Sequence, residues 1–230
     1  MQSITLGHRV PKTSLAPIAP IAFAGSAATI LLLASLHVLS PEFDPSWRMI
    51  SEYAYGRFGG VLAAMFLALG SSTCAAALAI QPVLKTRAGQ IGVGFLIAAG
   101  VGGLLAAVFD ISHDVGHGIA GLLGMGGFPI GAVLVSSNLG RIEGWRRVRP
   151  AVRVLAHLSW ITLLVLIASL VLMSMQVMQV NGGELPAAAP TALPPGVLGL
   201  DGWANRLNVL VTCAWVFVVG CTARHVHPDA

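Results

Sequence analysis

Charged side chains are scarce in this sequence. Only 10% of the 230 residues are Asp, Glu, Lys or Arg, whereas 56% are hydrophobic. A soluble domain carries roughly 25% charged residues, because water has to solvate its surface. The shortage excludes an ordinary water-soluble globule. It favours a chain whose outer surface contacts lipid, in agreement with a mean hydropathy of +0.82.

Cysteine is also rare, and the common catalytic motifs are missing. Cys74, Cys213 and Cys221 lie inside apolar stretches and form no C-x-x-C pair. This excludes a disulfide framework and a cysteine-based metal or redox motif. The sequence contains no P-loop, G-x-S-x-G, H-E-x-x-H or Rossmann glycine pattern. No standard motif therefore assigns a reaction.

The excess of positive charge is small and dispersed. The net charge is +4, and the basic residues stand at the ends of apolar runs rather than in a stripe with interleaved aromatic residues. We therefore expect no nucleic-acid partner. We expect the partners to be membrane lipids, and the sequence leaves association of copies into a homo-oligomer open.

What the sequence does contain is a series of long apolar runs. Six of them are long enough to cross ~30 Å of hydrocarbon at ~1.5 Å per residue, and such segments have to be helical to satisfy their own backbone. The predicted fold is an all-α integral membrane bundle of six transmembrane helices, forming one domain over residues 20–222. The predicted spans are 20–39, 59–80, 91–109, 118–139, 154–178 and 203–221.

Lys and Arg predict the orientation of the bundle. Ten of the 13 basic residues fall on one side of the six-span topology, and only Arg48, Arg57 and Arg206 fall on the other. The positive-inside rule places the ten in the cytoplasm of a cell-membrane protein. Both tails, residues 1–19 and 223–230, are then cytoplasmic. The predicted outer loops are about 40–58, 110–117 and 181–202.

The segment Ala22-Phe23-Ala24 resembles a signal-peptidase site. Pro17 and Pro20 interrupt the apolar region that would have to precede it, and the longest apolar run of the first span follows it. We therefore expect the first span to remain a membrane helix.

Glycines are concentrated in the fourth span, which also contains Pro129. Because small residues let helix backbones approach closely, we expect this span at the centre of the bundle, with a kink at the proline. The glycines are Gly121, Gly124, Gly126, Gly127 and Gly131.

The densest polar segment lies between the third and fourth spans. On a continuous helix its four side chains would share one face and could bind a divalent metal such as zinc, or activate a water together with Glu52. If the chain turns here, the carboxylates instead cap the fourth helix and a histidine bonds a neighbouring helix. A pH-responsive or ligand-contact role is a third interpretation. The residues are Asp110, His113, Asp114 and His117.

Other polar residues are predicted at the same membrane face. His37 ends the first span, Ser51 and Glu52 lie in the first outer loop, and Asn205 and Arg206 open the last span. We interpret His37, Ser51, Asn205 and Arg206 as candidate ligand-binding residues. A buried arginine needs a partner, and we expect Arg206 to form an ion pair with Glu52, Asp110 or Asp114.

Three segments together resemble a known family. They are Met49-Ile50-Ser51-Glu52-Tyr53, Phe109-Asp110 with His113 and His117, and Gly202-Trp203-Ala204-Asn205-Arg206 with Trp215. They resemble the bacterial membrane family of domain of unknown function 998, itself similar to Frag1, DRAM and Sfk1 type proteins. The resemblance implies a lipid-associated or organising role with no established reaction. Asn205 stands where a glutamine or glutamate is more usual in that pattern.

Three functions remain open at this point. The first is a membrane protein whose polar outer pocket contacts lipid headgroups or a small ligand. The second is a membrane-embedded, metal-dependent hydrolase or related lipid-modifying enzyme that uses the same pocket. The third is a small-molecule transporter. It needs polar residues through the whole membrane, whereas the non-aliphatic residues in the middles of these spans are mainly Ser, Thr and Gly.

Overall fold

The computed structural model of the chain describes residues 18–184 and 191–225, and within these ranges it contains helices and no strand. The predicted all-α fold is confirmed. Most of the two predicted tails and part of the predicted outer loop 181–202 lie outside the described residues. The α-helices are α1 (Ala19–Leu39), α2 (Gly59–Ile80), α3 (Arg87–Val108), α4 (Asp114–Gly121), α5 (Gly127–Leu139), α6 (Arg149–Val180) and α7 (Asp201–Ala223).

In the described part of the chain, six helical segments are long and apolar enough to span a membrane. A π-helical turn, Leu122–Gly126, joins α4 to α5, so that Asp114–Leu139 forms one span. This span begins at Asp114, and the turn that precedes it is shorter than the predicted loop 110–117. The fifth span is longer than predicted, at 32 residues, because α6 continues beyond its apolar run at both ends.

The six spans pack in a ring. Each span contacts the next along the chain, and α7 closes the ring by packing against both α1 and α6, with a further contact to α2. The last span is the most buried, with 56% of its central window buried against 39% for the glycine-rich fourth span. The prediction of a central fourth span was wrong, because its glycines approach closely only on the side that faces α3.

The two ends of the bundle have different cores. We call the end with Lys85 and the arginines of residues 141–153 the basic end, and the opposite end the Arg206 end. The basic half is filled by a large cluster that includes Leu96, Phe128 and Trp215. The core at the Arg206 end is smaller and includes residues of the first loop (residues 40–58).

The π-helical turn in the fourth span has a local cause. Pro129 lacks the N–H that would bond the carbonyl of Met125, four residues earlier. The backbone widens over the turn before this proline, which is where the kink was predicted. Such single π turns are found frequently at functional sites, and this one borders the cavity described below.

Candidate functional site

Arg206 is the central polar residue of the Arg206 end. It lies one turn into α7, and its side chain is only 3% exposed. Its guanidinium donates to His37 Nε2 (2.8 Å), to the carbonyls of Arg48 (2.8 Å) and Gly202 (3.0 Å), and to the hydroxyl of Tyr53 (3.1 Å). The side chain therefore connects α1, the first loop and α7.

The contact with Arg206 also determines the proton position on His37. A guanidinium can only donate, so Nε2 of His37 is the acceptor. The other ring nitrogen, Nδ1, lies 2.7 Å from the Leu33 carbonyl, which can only accept. Nδ1 therefore carries the proton, and the imidazole is held as one neutral tautomer between two helices.

The partner predicted for Arg206 was wrong. The described hydrogen bonds of its guanidinium go to uncharged acceptors, whereas Glu52 forms an ion pair of 2.8 Å with Arg48. Arg48 lies four residues before Glu52, just ahead of the short helix that contains Glu52, so the two side chains meet within the first loop. Asp110 bonds within its own turn.

Glu52 fixes the shape of the first loop. Its Oε1 accepts the backbone N–H of Met49 at 3.1 Å, which closes the start of the 3₁₀ helix Ile50–Tyr55. Burial raises the pKa of the Glu52 carboxyl, while the Met49 N–H and the Arg48 guanidinium oppose that shift. Arg48 in turn stacks over the Trp47 ring, with 4.8 Å from Cζ to the centroid.

Asn205 bonds the first loop directly. Its Oδ1 accepts the N–H of Ile50 at 3.0 Å in a buried hydrogen bond. Beside it, the backbone N–H groups of Gly202 and Trp203, in the first turn of α7, donate to the Ser46 carbonyl. Together with the Arg206 bonds, these contacts hold the first loop against the start of α7.

A cavity lies beneath this loop, between α2, α3, the fourth span and α7. It encloses about 850 Å³ of empty space, its open part included, and its lining is mostly apolar. At the Arg206 end it is bounded by Ser51, His117 and Asn205. It extends to Phe128 and Thr212, midway along their spans.

The predicted polar cluster of the third turn is only partly brought to this cavity. His117 lines it, with Nδ1 3.0 Å from the Phe109 carbonyl. His113 is exposed, and its Nδ1 lies 3.3 Å from Asp110 Oδ1. Asp114 occupies the first position of α4, where a carboxylate favours the helix N-terminus. Hydrogen bonds from Ser112 lower the pKa of Asp110.

The turn prevents these four side chains from sharing one helix face. Residues 109–113 are not helical, and α4 begins only at Asp114, so the spacing that favoured a metal site does not apply. Among the described residues, no group of three or more His, Cys, Asp or Glu side chains is placed to hold a metal ion.

Sequence reasoning missed the deeper residues of the cavity. Asn208 lines it and donates to the Ser159 carbonyl (3.3 Å) and Thr162 Oγ1 (3.0 Å), which ties α7 to α6. An asparagine inside an apolar span was the available signal, since polar groups in lipid need partners. Phe128 gave no such signal, because aromatic residues are common in any apolar span.

Comparison with known proteins gives one match. A sequence profile of the family described as "Protein of unknown function (DUF998)" matches residues 23–222. This range covers the six spans except the first four residues of α1 and the last residue of α7, and it includes every residue of the site described above. No curated protein and no solved structure matches the chain significantly.

Proposed function

The chain belongs to the DUF998 family of membrane proteins, and from its site we propose that it binds an amphiphilic lipid at the outer face of the cell membrane. The headgroup lies against Ser51, His117 and Asn205, and the apolar part enters the cavity. The proposal rests on the predicted orientation, in which the Arg206 end faces outward.

The observation that carries this proposal is the polarity of the cavity. Ser51, His117 and Asn205 line its Arg206 end, and most of the remaining lining is apolar, with Thr73, Asn208 and Thr212 as polar exceptions. An amphiphile has the same distribution, with a polar group at the membrane surface and a chain in the hydrocarbon. A water-soluble ligand would leave the apolar lining unused.

The polar end favours an uncharged headgroup with hydroxyl groups. The side-chain oxygen of Asn205 accepts the Ile50 N–H, which leaves the side-chain NH₂ of Asn205 available as a donor to a ligand. His117 directs Nδ1 to the Phe109 carbonyl, which leaves Nε2 as an acceptor. Ser51 can donate and accept. Both nearby arginines already have partners: Arg206 donates to neutral acceptors, and Arg48 pairs with Glu52. Neither arginine is therefore unpaired and available to neutralise an anionic headgroup.

The enzyme and transporter hypotheses receive less support. A metal-dependent enzyme needs converging ligands, and the described residues contain no group of three or more His, Cys, Asp or Glu side chains placed to hold a metal ion. A transporter needs a polar path through the other half of the bundle, and the described residues there form an apolar cluster.

A photoreactive monoacylglycerol tests the proposal. The protein is reconstituted in phosphatidylcholine nanodiscs, because sugar-headed detergents resemble the proposed ligand and would compete. We expect labelling of peptides from α4 and α7, and unlabelled monoacylglycerol should displace the probe. The lysophosphatidic acid with the same chain should displace it about tenfold more weakly, since its charge would be buried without a partner.

Two glycine variants of α4 provide the control. Gly121 borders the cavity and Gly118, one turn earlier, does not. An added Cβ at either position meets no atom within 4 Å. Gly121→Leu should fill the cavity and abolish displaceable labelling, whereas Gly118→Leu should label like the natural protein. Equal labelling of the two variants would show that the probe merely samples the lipid-facing surface.

A further inference from the structure

The cavity ends at the middle of the membrane. In the fourth span its lining runs from His117 to Phe128 and Pro129, and in α7 from Asn205 to Thr212. At ~1.5 Å per residue these stretches correspond to depths of about 18 Å and about 10 Å. Half of a ~30 Å hydrocarbon core is about 15 Å. The cavity is therefore about as deep as one leaflet.

An aromatic pair held by hydrogen bonds lies at the floor of the cavity. Phe128 is 3% exposed and packs edge to face on Trp215, with 5.5 Å between ring centroids. Trp215 is fully buried, and its indole N–H donates to Ser136 Oγ at 3.0 Å. Ser136 in turn donates to the Val152 carbonyl of α6. These bonds connect α7, α5 and α6 directly below the cavity and hold the floor in place.

We propose that the cavity limits the chain length of its ligand. It accepts one apolar chain from the outer leaflet, and the pair of Phe128 and Trp215 sets the greatest length that fits. This inference rests on the proposed lipid binding and narrows the ligand to a single-chain amphiphile. Its geometric basis is a mostly apolar cavity about one leaflet deep, with an aromatic pair at its deep end.

The experiment measures displacement of the photoreactive probe by unlabelled monoacylglycerols from octanoyl to stearoyl in the same nanodiscs. Competitor amounts are expressed as mole fractions of the nanodisc lipid, because each added methylene also strengthens partition into the bilayer. On this scale displacement should strengthen with every methylene that fills more of the cavity, because an unfilled space loses packing contacts. The gain should stop at the chain length that reaches the floor. A gain that continues to the longest chain would overturn the proposal.

Two variants should change the usable depth of the cavity in opposite directions. Phe128→Ala should shift the length at which the gain stops to longer chains, and Ala99→Leu, which fills the deep end, should shift it to shorter ones. Phe95→Ala removes the same side chain from a position on α3 that is 36% exposed, and it should leave the limit unchanged. Because the readout is the limiting length, reduced affinity alone cannot mimic it.

The two proposals fail differently. If no monoacylglycerol displaces the probe at any length, lipid binding itself is wrong. If displacement occurs but Phe128→Ala and Ala99→Leu keep the limit of the natural protein, the lipid binds and the length proposal is wrong. If Phe128→Ala does not fold, the Ala99→Leu shift still decides the question.

Discussion

Arg206 contributes to stability through hydrogen bonds to uncharged groups. A buried guanidinium usually pairs with an acid, but here a histidine, a tyrosine and two carbonyls accept its protons. Hydrogen bonds to charged groups contribute about 1.5–3 kcal/mol each, and their loss also leaves buried acceptors without donors. The residue therefore acts as the attachment of the first loop to α7.

Replacing Arg206 tests this role. Arg206→Ala should lower the free energy of unfolding by about 3 kcal/mol or more, measured by denaturation in mixed micelles, and should increase thiol labelling of a Ser51→Cys reporter. Arg57→Ala is the control. It removes an exposed arginine near the start of α2, and its cost should stay within about 0.5 kcal/mol. Similar losses in both variants would contradict the attachment role.

Glu52 makes stability depend on pH. Because burial raises the pKa of the Glu52 carboxyl above the ordinary glutamate value of 4.5, the folded protein holds a proton that the unfolded chain has released just above that pH. Folding is then favoured below that value, and this contribution is lost as pH rises through the pKa of the folded protein. Glu52→Gln cannot titrate, so its unfolding midpoint should vary less with pH over this window. Identical pH profiles of the two proteins would refute the assignment.

At the scale of helices, glycine sets how closely α2 and α3 approach. A Cβ built on Gly70 would lie 2.6 Å from the Gly100 carbonyl oxygen and 2.7 Å from the Leu104 nitrogen. Backbone atoms cannot yield as a flexible side chain can. The two helices therefore depend on this position for their contact.

An added methyl group tests the contact. Gly70→Ala should destabilise the protein by about 1–3 kcal/mol, the usual cost of overpacking, measured by thermal unfolding in detergent. Gly94→Ala is the matched control on α3, since a Cβ there meets nothing within 4 Å. It should be neutral or slightly stabilising, as alanine favours helix more than glycine does. If Gly70→Ala leaves the unfolding temperature unchanged, α2 and α3 can move apart at little cost in stability.

At the scale of the whole molecule, the orientation of the bundle remains a prediction from its charges. Glu184 and Arg146 are both exposed and lie beyond opposite ends of α6. In a variant whose three native cysteines are replaced, Glu184→Cys should react with an impermeant maleimide in intact cells, and Arg146→Cys only after permeabilisation. Reaction of both from the same side would overturn the six-span topology.

The ring of spans also explains why the cavity exists. The fourth span packs on α3 through Gly131 and Gly124, and α5 packs on α6. At the level of α4 and the π turn, small residues face α7 across a gap that no large side chain fills. Gly124 therefore takes part in both features, since it approaches α3 and also lines the cavity.

The sequence by itself determined the all-α fold and the number of spans, because a shortage of charge and six long apolar runs leave the backbone no other arrangement in lipid. Alternation of the spans also brought His37, Ser51, Asn205 and Arg206 to one end. Only the tertiary structure decided that Arg206 bonds neutral partners, that the third turn exposes His113, and that Phe128 closes a cavity. These features depend on how each helix is rotated about its axis and on the residue at which the turn begins. The hydropathy pattern of the sequence predicts neither.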